Sequence, residues 1–433
     1  MWLLRSLPRL SGWIVHSMHR VTAIEGAIPS AGPVLVVANH PSGLIDPLVV
    51  TVAARRPVRW LSKSTLVFHP WLGWLFRAAG CIPVYRRQDD PTQMERNADA
   101  FRAAVLALRE GSVVAMFPEG ISHHSPGLAP LKTGAARLAL AAAAEFQTAL
   151  PIIPVGVIYR DAPTFRSTAG IVVGNAIVWD DLARRDADDR AAAQELTERI
   201  GAGLESVTRH LASWADKAVV EHAAAVLAAQ TPGAEPPPSW IARASRMLAR
   251  MEAEQDPELP GLRQRVRAHA RALARLDVTP AELASKQPPG SSHWWSGWRV
   301  PLVALLWLVG MIWCWPPYRA TGILASRLVS EKDVLATVKA ASGIVLFTLW
   351  IIVTAMVVGW LFGWPSAVLA LPLGVGLAFL TLRLEEARQA AGAAMKARSW
   401  RLRRSARVQD LREEQRALAG ELGKVVARLA AGA

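Results

Sequence analysis

Two side chains six positions apart, His40 and Asp46, are of the types that move protons. Histidine titrates near neutral pH, and a carboxylate bonded to one ring nitrogen fixes the tautomer and leaves the other nitrogen as a general base. On a regular helix, residues six apart point about 120° away from each other, so the intervening Pro41-Ser42-Gly43-Leu44-Ile45 has to bend the pair together. The same residues admit a second reading. Asp46 followed by Pro47 is a helix-start pattern, in which case Asp46 is an N-cap and His40 a surface turn residue.

The elements that would position this pair read as alternating strands and helices. The run Val34–Ala38 is short, β-branched and bounded by Gly32-Pro33 and Pro41-Ser42-Gly43, so it reads as a buried strand with His40 just past its end. Further strands are expected at 58–61, 81–87, 112–117, 151–158 and 170–178. Helical patterns lie at 48–54, at 91–110, from Leu131-Lys132-Thr133-Gly134 onward, and over 180–229. Such alternation implies an α/β layer architecture. Ligands in these sheets gather beyond the strand C-termini, where His40, Arg86 and Glu119 all fall.

Arg86 and Arg87 alternate sides of an extended backbone, so one of them faces the pocket, unless both are a solvated pair at a strand end. Glu119 either accepts a hydrogen bond from a bound hydroxyl or is a turn residue between Pro118 and Gly120. Lys132 is either a second cation at the site or a first-turn helix lysine. Ser122, His123 and His124 have no carboxylate or cysteine at metal spacing, so no metal is expected. No serine sits in a G-x-S-x-G elbow, which argues against a covalent acyl-enzyme.

The chain has 433 residues and a formal net charge of +14, which implies anionic partners. Its 18 tryptophans include Trp294, Trp295, Trp298, Trp307, Trp313 and Trp315 at the edge of an apolar region. Indoles favour a membrane interface, so a lipid bilayer is the expected partner and nucleic acid is not. Cys81 and Cys314 suggest two free thiols and a reducing compartment.

The expected segments are an amphipathic helix over 1–20, a catalytic domain over 21–230, a charged helical segment over 239–290, a hydrophobic region over 299–382 and a basic C-terminal helix over 383–433. The N-terminal helix lies on an anionic membrane or docks on the globular domain, and it lacks a cleaved-signal pattern. Proline-rich 231–238 and polar 287–292 read as linkers. The 300–315 stretch is short for a crossing, which needs roughly 20 residues, so it is expected to be re-entrant or interfacial. The uncharged 343–363 and 364–382 form a hairpin across the bilayer. The basic block Lys396, Arg398, Arg401, Arg403, Arg404 and Arg407 should stay cytoplasmic. The catalytic domain is then on the cytoplasmic face of the cell membrane. The 385–429 tail reads as one long charged helix, either solvated or a coiled coil.

The ordered blocks Asn39-His40…Asp46, Gly80-Cys81-Ile82-Pro83-Val84-Tyr85-Arg86, Phe117-Pro118-Glu119-Gly120 and Ile153-Pro154-Val155 resemble the glycerophospholipid acyltransferase family over roughly residues 20–180. The family's usual catalytic block has four residues between histidine and aspartate, whereas Pro41 to Ile45 makes five here. The resemblance implies a mixed sheet flanked by helices and a helical membrane region. It makes His40 the base, Asp46 its orienter, Arg86 a phosphate binder, and Glu119 with Gly120 part of the acceptor site. Lys132 stands beside them as a possible second cation. No cofactor is expected, since acyl-CoA or acyl carrier protein is a co-substrate. The implied acceptor is lysophosphatidic acid, with glycerol 3-phosphate or dihydroxyacetone phosphate as the alternative and a non-catalytic lipid-binding scaffold as the rival of another class.

Overall fold

The computed structural model describes residues 2–86, 89, 91–162, 164–186, 189–230, 238–284, 299–329, 332–402 and 406–431. Arg87, Trp294, Trp295, Trp298, Arg403, Arg404 and the linkers at 231–237 and 287–292 lie outside them, as do the side chains of Lys396, Arg398 and Arg401.

The strands are β1 (Arg20–Glu25), β2 (Val34–Ala38), β3 (Val58–Lys63), β4 (Ile82–Val84), β5 (Val113–Met116), β6 (Ile152–Tyr159) and β7 (Thr168–Val173). They form one sheet in the order β1-β7-β6-β2-β5-β3-β4, mixed as expected because β6 and β7 pair antiparallel while every other pair is parallel. The sequence pattern did not single out β1, whose charged ends mask a short apolar centre. Every residue of β2 and β6 is buried, as an uncharged apolar run covered on both faces must be.

Successive side chains of β2 point to opposite faces. Val34, Val36 and Ala38 pack with helices α1 (Trp2–Met18) and α2 (Ile45–Ala54). The short α3 (Ser64–Val67) and α4 (Gly73–Ala78) lead into β4. Leu35 and Val37 face the other layer, built from α5 (Asn97–Arg109), α6 (Gly134–Phe146) and α7 (Arg190–Val207).

Helices α8 (Lys217–Ala228), α9 (Pro238–Ala253), α10 (Leu259–Leu276) and α11 (Pro280–Ala284) follow, then α12 (Val300–Leu328), α13 (Lys332–Phe362), α14 (Trp364–Leu402) and α15 (Ala406–Ala431). The C-terminal tail differs from the single helix read from sequence. It is divided between α14 and α15, and α15 returns to bury Leu418, Leu422 and Val425 against Val220, Met251 and Leu262. Arg265 pairs with Glu421, and Arg428 with Asp256. An amphipathic helix with a waiting apolar partner packs rather than staying solvated.

The 300–315 expectation needs a correction in length. Its helix continues through Pro316 and Pro317 to Leu328, 29 residues in all, so among the described residues three helices are long and apolar enough to cross a membrane by length and composition. The path of α12 is informative. Trp307 Nε1 donates to Glu385 Oε2 at 2.8 Å, Tyr318 packs on Phe165 of the sheet domain at 6.2 Å between ring centroids, and Thr321 lies beside Gly343. The neighbouring Glu386 pairs with Arg166 of the sheet domain. Both halves of α12 therefore lie near the sheet-domain ends of α13 and α14, while Gly363 (φ +91°) makes the distant turn.

Inside the helical module, His222 Nε2 lies 2.9 Å from His269 Nδ1. Burial, with His269 adding to it, pulls His222 down to about 4, and burial lowers His269 as well. Both values fall below the unfolded one, so protons bind the unfolded chain first. Module stability should be complete above pH 6.5 and decline as the pH falls toward about 4. Thermal unfolding in detergent at several pH values should show this slope, and a shallower one in His222→Gln; identical slopes would remove the pair as its cause.

Candidate active site

Asp46 does not cap its helix. Leu44 holds the N-cap position without a side-chain cap, and the Asp46 carboxylate, with no exposed surface, turns back over the loop. Its Oδ2 accepts from His40 Nδ1 at 2.9 Å and from the Ser42 backbone N–H at 2.7 Å, while Oδ1 accepts the Tyr159 hydroxyl at 2.8 Å. A buried carboxylate satisfied by three donors is acceptor-only, so Nδ1 carries the hydrogen and Nε2 keeps its lone pair. Burial first, then the Asp46 charge, raises the Tyr159 phenol well above its usual range, so it stays a donor at physiological pH.

The loop bends where the six-residue spacing demands it. Gly43 has φ +54°, a backbone conformation in which glycine has no Cβ penalty. The His40 ring stacks on Phe117 with centroids 3.8 Å apart and planes 2° from parallel, and Phe117 stacks in turn on Trp60 at 4.8 Å. Asn39 extends β2 by one residue: its Nδ2 donates to Val157 O at 3.0 Å and its Oδ1 accepts from Val157 N–H at 2.7 Å.

Glu119 reaches the same place from β5 but faces inward. Its Oε1 accepts the His40 backbone N–H at 2.9 Å, and its Oε2 accepts the Ala129 N–H at 2.7 Å and pairs with His123 Nε2. The family motif assigns Glu119 to the acceptor, whereas this fully buried side chain is occupied by protein donors. It fixes the backbone that carries His40.

Arg86, Gly120 and Lys132 come together on the β4 side of His40. Arg86 Nη1 donates to Gly120 O at 3.1 Å, and Nε and Nη2 grip Asp89 Oδ2 and Oδ1 at 2.8 and 2.9 Å. Gly120 has φ +71°, and a Cβ there would stand 2.7 Å from Lys132 Nζ. The Arg86 hydrogen bonds hold the Asp89 carboxyl below its usual value, helped by the charges of Lys63 and Lys132. Three cations thus surround one partly exposed carboxylate. Just upstream, Phe68, Trp71, Leu72 and Trp74 form an exposed apolar ridge, with Trp71 at 81% exposure.

On the β6 side, a cavity of about 130 Å³ runs from His40 to Arg160, Arg209 and Trp214. His124, which the sequence offered only as half of a histidine pair, stacks on Trp214 at 4.7 Å. Sequence reasoning missed Tyr159 and Phe117 as site residues. Each ends or follows an apolar strand at the sheet edge that carries His40, and that placement was the available signal.

A carboxylate-oriented histidine between a cation cluster and a cleft defines a site that can activate a hydroxyl on a phosphorylated molecule. Residues 19–158 match the family model described as Acyltransferase. Glycerol-3-phosphate O-acyltransferase 2 of Saccharomyces cerevisiae is 32% identical over 29% of this chain and 18% of its own. The 1-acyl-sn-glycerol-3-phosphate acyltransferase of Borreliella burgdorferi is 28% identical over 35% of this chain and 56% of its own. A crystal structure of the 1-acyl-sn-glycerophosphate acyltransferase of Thermotoga maritima is 18% identical, covering 47% of this chain and 78% of that one, with a TM-score of 0.35. Over residues 19–158 the chain is therefore similar to glycerol-3-phosphate and 1-acyl-sn-glycerol-3-phosphate acyltransferases. The chain covers no more than 56% of the length of these two curated relatives.

If the His40–Asp46 pair acts as an oriented general base, Asp46→Asn should leave the fold intact and lower turnover by about 10²–10⁴-fold. Tyr159→Phe, which removes one of three donors, should cost less than a tenth of that effect. Equal losses in steady-state assays of the two variants would contradict the division of roles.

Proposed function

We propose that the protein transfers a fatty acyl group from acyl-CoA or acyl carrier protein to the free hydroxyl of lysophosphatidic acid. His40 Nε2 takes the hydroxyl proton, the oxygen attacks the thioester carbonyl, the C–S bond breaks, and the departing thiolate takes the proton from His40. The observation that carries the choice of acceptor is the pairing of the Lys63, Arg86 and Lys132 cluster with the exposed ridge of Phe68, Trp71, Leu72 and Trp74. A phosphate suits the arginine fork, displacing Asp89, while a single acyl chain suits the aromatic ridge at a bilayer surface.

Glycerol 3-phosphate is the second reading. The yeast glycerol-3-phosphate O-acyltransferases among the relatives favour it, and Lys132 is exposed enough to meet a water-soluble acceptor. Purified wild type, His40→Ala and Arg86→Ala should be assayed with both acceptors. Expected are faster turnover with lysophosphatidic acid, loss of activity in His40→Ala, and a KM for the acceptor raised by about tenfold or more in Arg86→Ala. Preference for glycerol 3-phosphate would select the second reading, and wild-type silence with both acceptors would reject acyl transfer.

The membrane arrangement follows from parity. Helix α15 packs on α8, α9 and α10, so an even number of crossings separates them, and α13 with α14 supplies two. Helix α12 then lies across the membrane surface or re-enters it, and the basic C-terminal block supports a catalytic domain on the cytoplasmic face. Cysteines introduced singly as Glu254→Cys, Lys424→Cys and Trp364→Cys, with Cys81 and Cys314 replaced, test this in sealed vesicles. Glu254→Cys and Lys424→Cys should react from one side and Trp364→Cys from the other; labelling of the first two from opposite sides would mean three crossings.

A further inference from the structure

The loop that joins His40 to Asp46 is held from outside the sheet domain by one side chain. Thr337, near the start of α13, accepts the Leu44 backbone N–H on Oγ1 at 3.0 Å. Its own hydroxyl donates to the Ser42 carbonyl at 3.4 Å. Ser42 and Leu44 flank Gly43, the left-handed residue at which the loop turns. Ser42 also sends its N–H to Asp46 Oδ2 at 2.7 Å. One hydroxyl therefore bridges both arms of the turn that brings imidazole and carboxylate together.

The approach is close because the neighbouring residues are small. Ala336 and Ala340 are buried in the same apolar cluster as Ile45 and Val49 of α2, so α13 comes close enough for the Thr337 side chain to reach the loop. The contact joins residues 293 positions apart. The loop's geometry therefore depends on where the hydrophobic hairpin sits.

We infer that Thr337 is a positioning residue, a clamp through which the hairpin α13–α14 sets the His40–Asp46 geometry. Its catalytic consequence rests on the acyl-transfer reading above; the clamp itself does not. Leaving the loop unclamped would let the pair separate in a fraction of molecules. That lowers the competent population and hence kcat, while the cation cluster and the cleft bind as before.

The experiment compares Thr337→Val, which keeps the shape and removes the hydroxyl, with Thr337→Ser, which keeps the hydroxyl and removes the methyl. Thr337→Val should lower kcat by about tenfold, the worth of one or two such hydrogen bonds, with KM for both substrates within about twofold of wild type. Thr337→Ser should stay within about twofold in both. Hydrogen exchange of the peptide covering 41–48, measured on full-length protein in lipid nanodiscs, reads the clamp without any turnover. The Leu44 amide should exchange about tenfold faster in Thr337→Val and at the wild-type rate in Thr337→Ser. Wild-type exchange in Thr337→Val, or equal impairment in the two variants, overturns the clamp. Faster exchange in an enzyme silent toward both acceptors would keep the clamp and reject the acyl-transfer reading.

Discussion

A carboxylate with no exposed surface is the constraint that the catalytic end of this molecule satisfies. Removed from water, Asp46 has to be surrounded by donors or give up its charge. The fold supplies three, each from a different place: an imidazole at the end of β2, a backbone amide in the following loop and a phenol at the end of β6. Satisfying them requires β2 and β6 to be neighbours, in the observed parallel register that pairs Ala38 with Val155. It also requires the loop to double back at Gly43. Sheet order, strand length and loop shape thus answer to one buried charge, and the tautomer of His40 follows from it.

Glu119 is a second carboxylate with no exposed side-chain surface, doing the complementary task from β5. Asp46 fixes the ring and Glu119 fixes the backbone N–H of the same residue, so His40 is held at both ends. The Phe117 stack closes the remaining freedom of the ring plane. Such over-determination fits a group that must present one nitrogen in a fixed direction. The cations lie outside this frame. Arg86 and Lys132 gather around the partly exposed Asp89, an arrangement a ligand phosphate can enter without dismantling the buried network.

Apart from β1, the sheet was legible because its strands are short apolar runs between turn residues, and His40, Arg86 and Glu119 could be placed at strand ends by counting from them. The direction of each side chain was not legible. Nothing in Phe117-Pro118-Glu119-Gly120 says that the carboxylate turns inward, since its partners Ala129 and His123 lie on a loop whose path is set by tertiary packing. Tyr159 stood one residue beyond an expected strand, and its relation to Asp46 is a contact across 113 positions. Helix α12 was underestimated because its uninterrupted apolar stretch stops at Trp315, yet the helix continues through Pro316 and Pro317. The return of α15 was invisible because amphipathicity reveals an apolar face and not its partner.

Among the hydrophobic helices, and between them and the sheet domain, polar contacts do the specifying. In lipid, apolar surfaces gain little from one another, so hydrogen bonds and close packing of small residues set which helix faces which. Here Trp307 meets Glu385, Arg166 meets Glu386 and Thr337 meets the loop at Gly43, while small Gly310 and Gly374 let Thr381 and Trp313 approach. The outward-facing apolar residues of α13 and α14, such as Trp360 and Leu373, stay exposed. An apolar contact would tolerate sliding of the hairpin along the domain, whereas these directional contacts do not. Because one of them reaches the loop between His40 and Asp46, the orientation of the hairpin and the geometry of that pair are parts of the same arrangement.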